Sequence, residues 1–137
     1  MSVLDASVAL SWLFERESPS ERRRAAAVLD ALEDGPALVP ALWQAEVLNA
    51  LLVGERRALV TPAQSTEYLA RLGRLPIVVD PVSPISRRDS VFEVGRRYGL
   101  SASDASYLEL AIRAGGPLAS FDRDLVKAAK AAGVEIA

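Results

Sequence analysis

Short apolar runs alternate with longer helical stretches along this chain. Residues 3–4, 37–39, 77–79, 117–120 and 134–136 read as strands, each bounded by an acid, a glycine or a proline. Between them, residues 6–14, 20–33, 42–57, 62–75, 84–98, 103–114 and 122–132 read as helices. The stop and start signals are local. Asp34-Gly35-Pro36 ends the second helix, Thr61 followed by Pro62 opens the fourth, and Gly99 and Gly115-Gly116 close the fifth and sixth. In the second helix, Ala26, Leu29, Ala31 and Leu32 are expected to face inward, and Arg22, Arg23, Arg24 and Asp30 outward. The strands show no in/out alternation. Short, wholly apolar strands separated by helices predict an α/β fold, a central parallel sheet of about five short strands flanked by helices on both faces. No linker or low-complexity segment interrupts the pattern, so residues 1–137 are expected to form a single domain.

The helix beginning at Leu42 departs from the usual one-sided pattern. Leu42, Trp43, Val47, Leu48, Leu51, Leu52 and Val53 cover nearly its whole circumference. A helix apolar all round is expected to be buried against more than one partner, and in so small a domain a second subunit is a candidate.

Composition excludes more than it suggests. The chain has neither cysteine nor histidine. Disulfides, thiolate nucleophiles, His- or Cys-ligated zinc, serine–histidine triads and imidazole acid–base pairs are therefore out. Hydrolysis would have to rest on carboxylates, hydroxyls, Lys or Arg, with a hard metal ion held by oxygen ligands. The net charge is −2, so no global basic field attracts a polyanion. Cations are mostly arginine, with lysine only at 127 and 130. That suits phosphate recognition, and it equally suits a compositional habit. The apolar N-terminus lacks a basic region, Asp5 interrupts it, and Glu15-Arg16-Glu17 follows without a cleavage signature. No run approaches the ~18 apolar residues of a membrane span. A cytoplasmic protein without membrane contact is expected.

Four acids stand where a parallel sheet would bring them together. Ligands of such sheets bind beyond the carboxyl ends of the strands, at a switch in strand order. Asp5 directly follows the first strand, and Asp122 follows the fourth with only Phe121 between. Taken singly, either reads better as a helix N-cap. Glu46 lies on the apolar helix with no basic residue within a turn, so it either reaches solvent at the helix edge or belongs to a site. Asp104 opens the sixth helix. It complements the helix dipole there, unless Ser101 or Ser103 caps the helix and leaves it free. Together the four make a stronger case than apart. Clustered carboxylates raise one another's pKa, and a divalent cation with oxygen ligands, Mg²⁺ or Mn²⁺, removes that penalty.

Several pieces in order carry a resemblance to a known family. They are Val3-Leu4-Asp5-Ala6-Ser7; Pro40 followed by Glu46, Asn49 and Leu51; Leu100-Ser101-x-x-Asp104-Ala105-x-Tyr107-Leu108 with Ala111; and Ala119-Ser120-Phe121-Asp122-Arg123-Asp124-Leu125. The chain resembles the PIN-domain ribonucleases, and among them the VapC-type toxins of toxin–antitoxin pairs, over essentially its whole length. The resemblance implies a PIN-like fold and a Mg²⁺- or Mn²⁺-dependent endoribonuclease. It also implies a homodimer that a cognate antitoxin inhibits. It implies Asp5 and Asp104 as primary metal ligands, and Asp122 as a ligand directly or through water. Glu46 would position or deprotonate the attacking water, directly or through a second metal. Ser7, Asn49, Ser120 and Asp124 would surround and orient these groups. Ser120 stands where Thr is more usual, and the hydroxyl is kept. Arg87, Arg88, Arg96, Arg97 and Arg123 are candidates for an RNA path or for antitoxin contacts, against a simpler reading as a solvated face. Two other readings stay open: a non-catalytic interaction module, and a phosphatase or phospho-acceptor domain with Asp5 as nucleophile. The second fits worse, because no acid follows Asp5 two residues on and no Lys follows the fourth strand.

Overall fold

Four short parallel strands set the frame. In the computed structural model, which describes residues 1–137, β1 (Ser2–Leu4), β2 (Ala37–Val39), β3 (Ile77–Val79) and β4 (Leu118–Ala119) lie in the order β3-β2-β1-β4. Val3 pairs with Leu38 on one side and Leu118 on the other, and β2 and β3 run in register from Ala37↔Ile77 to Val39↔Val79. The fifth expected strand is reduced to a single parallel bridge between Ile136 and Leu118.

The helices are α1 (Ala6–Leu10), α2 (Pro19–Ala31), α3 (Leu42–Arg56), α4 (Pro62–Leu72), α5 (Pro84–Tyr98), α6 (Ala102–Ala114) and α7 (Arg123–Ala131). The chain steps from β1 to β2 to β3 in one direction, then returns to lay β4 on the far side of β1. Right-handed crossovers therefore put α1 to α4 on one face and α5 to α7 on the other. The packing agrees: α1 rests on α3, and α6 on α5 and α7. The reversal falls between β1 and β4, so the crevice at their carboxyl ends is the switch point.

Local chemistry explains most boundaries. Ser18 caps α2 ahead of Pro19, Thr61 and Gln64 form a reciprocal capping box on α4, and Ser83 caps α5. Gly99 and Gly115 end α5 and α6 with φ of 66° and 68°, a conformation that costs a side-chain-bearing residue about 1 kcal/mol or more. At Gly116 a Cβ would stand 1.8 Å from the Met1 carbonyl oxygen, so only glycine lets the approach to β4 pass the start of β1. The helix expected over 6–14 ends earlier, at Leu10, and the chain continues in turns.

Val3, Leu4, Leu118 and Ala119 are fully buried at the centre of the sheet. Tyr107, Leu108, Leu110 and Leu125 come from α6 and α7, and Val8, Val47, Leu51 and Tyr68 from α1, α3 and α4. Three expectations change. The inward face of α2 is Ala25, Val28, Leu29 and Leu32, while Ala26 and Ala31 are exposed. β3 is an edge strand, not a covered one, and Val78 and Val79 are exposed. On α3, Trp43, Val47 and Leu51 are buried but Leu48 and Leu52 are open. No helix is long and apolar enough to cross a membrane.

Candidate active site

Asp5 leaves β1 and stands at the N-cap position of α1, but its side chain does not cap the helix. Its Oδ2 accepts instead from Ser7 Oγ at 2.7 Å and from Ser120 Oγ at 2.6 Å. Ser120 is fully buried and Asp5 nearly so. Burial drives the Asp5 carboxyl above its ordinary range against these two hydroxyl bonds, and the Asp122 charge adds to the rise. An acid held in place by hydroxyls, with no cation bonded to it, is poorly satisfied as it stands.

Asp122 follows β4, and Oδ1 accepts from the Leu125 amide at 2.9 Å, so it does cap its helix. The second oxygen, Oδ2, makes no protein hydrogen bond. On α6, Ser101 is the cap, accepting from the Asp104 amide. That frees the Asp104 carboxylate. Burial, then the charges of Asp122, Asp5 and Asp124, push it up to about 6. Glu46 comes from the second turn of α3. It does not simply solvate: Tyr107 of α6 donates its hydroxyl to Oε1. Burial raises the Glu46 carboxyl, the Tyr107 bond opposes this, and the charges of Asp5 and Asp104 reinforce it.

One open cleft of about 520 Å³ joins these groups. Asp5, Ser7, Glu46, Asn49, Asp104 and Asp122 line it, with Arg16 and Phe121 on its wall. Four elements that are distant in sequence thus meet at the switch point. Two of the surrounding groups lie outside the cleft lining. Ser120 lies beneath the cleft, under Asp5, and Asp124 is exposed outside it, acting on Asp104 only through its charge. The acids share the cleft without forming a closed ligand cage, since no three sit close enough to hold an ion as they stand. The donor set still fits a hard cation: every candidate ligand is oxygen, and Mg²⁺ is usually held by one or two carboxylates while keeping several waters.

Among the arginines, Arg87 lies neither on an RNA path nor on a solvated face. Arg87 is buried. Its guanidinium pairs with Glu109, reaches Asp80 at 3.3 Å and donates to the Ser106 carbonyl, and Arg113 bonds the same two acids. This group ties α5 and α6 to the end of β3 and is unavailable to RNA. Arg88 pairs with Asp89, Arg96 lies over Phe92 and Arg97 over Tyr98, and Arg123 is exposed outside the cleft. The cation on the cleft wall is Arg16. It sits in the loop before α2, where no periodicity marks it. Tyr107 had a signal only as part of the α6 motif.

Comparison with known proteins places this geometry. No curated protein matches the chain significantly. Among solved structures, PAE2754 from Pyrobaculum aerophilum is 25% identical with a TM-score of 0.67, over 93% of this chain and 78% of that one. FitAcB from Neisseria gonorrhoeae is 22% identical with a TM-score of 0.60, over 99% of this chain and 96% of that one, a likeness of fold. The PIN domain family model matches residues 2–131, so the chain belongs to the PIN domain family, whose members are generally nucleases.

Proposed function

We propose that this protein is a metal-dependent endoribonuclease and the toxin of a toxin–antitoxin pair, acting in the cytoplasm as one domain over residues 1–137. The observation that carries the reading is Asp5. It is a buried carboxylate bonded to two hydroxyls, in a cleft with Glu46, Asp104 and Asp122. Such a cluster is electrostatically incomplete without a cation. Asp5, Asp104 and Asp122 would hold Mg²⁺ or Mn²⁺, with Glu46 beside them. When bound, the ion supplies positive charge against the phosphodiester and lowers the pKa of a water.

The remaining work falls to the chain's own groups. Ser7 and Ser120 fix one oxygen of Asp5, and the Leu125 amide fixes one oxygen of Asp122. Both carboxylates are thereby oriented before substrate arrives. Tyr107 holds Glu46 Oε1, leaving Oε2 to take the proton of the attacking water. Asn49 lines the same cleft and would help to orient the acids, and Asp124 deepens the negative field at Asp104.

Exposed Leu48 and Leu52 on α3, with Val78 and Val79 on the open edge of β3 and Ile85 and Phe92 on α5, support association as a homodimer or with an antitoxin. They equally favour the second reading, a non-catalytic interaction module. A phospho-acceptor at Asp5 gains no support, because the cleft holds no lysine. Purified protein is expected to cleave RNA in Mg²⁺ or Mn²⁺, and EDTA or Asp5→Ala to stop it. Full cleavage in EDTA, cleavage of DNA alone, or an intact fold with no metal-dependent cleavage at all would sink the reading.

A further inference from the structure

An acidic cleft repels the polyanion it is meant to cut, and a net charge of −2 provides no field to bring it in. The approach must depend on local cations. Arg16 is the only cationic residue lining the cleft, and its surroundings hold it in one orientation. Its Nε and Nη2 both donate to Glu21 Oε2, at 3.2 and 2.9 Å. Its guanidinium carbon lies 4.9 Å from the centre of the Phe121 ring, a cation–π distance. Nη1 makes no protein hydrogen bond. Arg24 stands over the same ring at 5.2 Å and donates to the Ala137 carbonyl, tying α2 to the segment that follows α7. Phe121 directly precedes Asp122, and Ser7 Oγ accepts from its amide. The ring that orients Arg16 is thus built into the backbone that positions two of the acids.

We propose that Arg16, held against Phe121, contacts a phosphate of the RNA strand entering the cleft and is a determinant of substrate binding. Its Nη1 donors take a non-bridging phosphate oxygen, while Glu21 and Phe121 keep the guanidinium from collapsing onto the carboxylates. Arg24 does not line the cleft but shares the Phe121 ring, and adds positive charge nearby. This inference rests on the ribonuclease reading and adds to it the residue that offsets the repulsion of the strand. Arginine suits the role because its planar fork keeps its charge and geometry at any working pH.

The test compares wild type, Arg16→Gln, Arg16→Lys and the distant control Arg71→Gln, which lies on α4 in an exposed pair with Glu67. Steady-state cleavage of a single-stranded RNA is measured in Mn²⁺, and binding of the same RNA in Ca²⁺ over a range of salt. Arg16→Gln is expected to raise KM about tenfold with kcat nearly unchanged, as for loss of one charge-assisted hydrogen bond. It should also lower the slope of log binding constant against log salt by about 0.7, one phosphate contact of a single strand. Arg16→Lys should restore the slope but only part of the KM, and Arg71→Gln should change neither. Should Arg16→Gln fail to fold, the split between slope and KM in Arg16→Lys carries the test. Wild-type KM and slope in Arg16→Gln, in an enzyme that cleaves RNA, overturn the role of Arg16 alone. Binding with the expected slope change but no cleavage by wild type overturns the ribonuclease reading and leaves the phosphate contact standing.

Discussion

Tyr107 donates its hydroxyl to Glu46 Oε1 at 2.5 Å, joining two residues 61 positions apart in the chain. The bond joins α6 and α3, which belong to opposite faces of the sheet. It fixes one oxygen of a carboxylate whose pKa burial raises, and it opposes that rise. Tyr107 is itself almost wholly buried, and burial followed by the Glu46 bond drives its own ionisation well above the ordinary range. It therefore stays a donor at every working pH.

Tyr107→Phe removes that donor. The bond lowers the Glu46 pKa, so its loss lets burial raise the pKa further. The acid limb of the pH–rate profile for RNA cleavage is expected to move to higher pH. The fold should lose about 1.5–3 kcal/mol by chemical denaturation, the range for a hydrogen bond to a charged group. An unmoved acid limb would show that Glu46 takes no part in the proton transfer.

Asp104 predicts how pH and cation act together. Its folded pKa of about 6 lies above the unfolded value near 4, so the folded state holds the extra proton. Its contribution is present below the unfolded pKa and is lost as pH rises through 6. Without metal, Tm should fall as pH rises over that window, and Mn²⁺ at pH 7 should raise it again. Asp104→Asn is expected to be more stable than wild type at pH 7 without metal, and to lose most of the Mn²⁺ gain.

The Asp80–Arg87–Glu109–Arg113 group predicts the opposite pH sign. Burial drives Asp80 upward, but the Arg113 bond, the Val82 amide and the charges of Arg113 and Arg87 outweigh it and hold the carboxyl below its ordinary range. Its stabilisation is present above about pH 4 and is lost as pH falls through the lower folded value. Asp80→Asn should flatten the acid limb of stability. Arg87→Met leaves two buried carboxylates short of a partner and is expected to cost about 3–5 kcal/mol. Urea denaturation between pH 3 and pH 7 measures both.

The exposed apolar face of α3 predicts self-association. Leu52→Asp puts a charge on the open side of the helix while leaving Trp43, Val47 and Leu51 packed. Light scattering is expected to show a dimer for wild type and a monomer for the variant, with the Tm of the isolated subunit little changed. A monomeric wild type would reserve that face for another partner.

Much of the architecture was legible because its signals are local. Prolines and glycines punctuate the chain, Thr61-Pro62 and Ser83-Pro84 announce helix starts, and short unalternating strands imply a parallel sheet. The misreadings share a cause: burial depends on neighbours. Ile77-Val78-Val79 had the clearest strand composition, yet it is the open edge. Capping was likewise undecidable. Asp5 and Asp122 occupy the same position relative to a helix, but only Asp122 uses it. Two hydroxyls compete for Asp5, and one of them lies 115 residues away.

By itself, then, the sequence narrowed the class of chemistry. With no histidine or cysteine, hydrolysis was left to carboxylates, hydroxyls, Lys or Arg, and four acids at strand ends and inward helix positions pointed to oxygen ligands for a hard cation. Tertiary structure alone decided which groups meet. Strand order brought Asp5 and Asp122 to one crevice, and packing of α6 against α5 gathered Arg87 into the interior and away from any substrate. Arg16 reached the cleft from a loop with no pattern of its own. Residue type and spacing report local preference, whereas proximity between distant segments is set by the global minimum of packing and desolvation, which no local window contains.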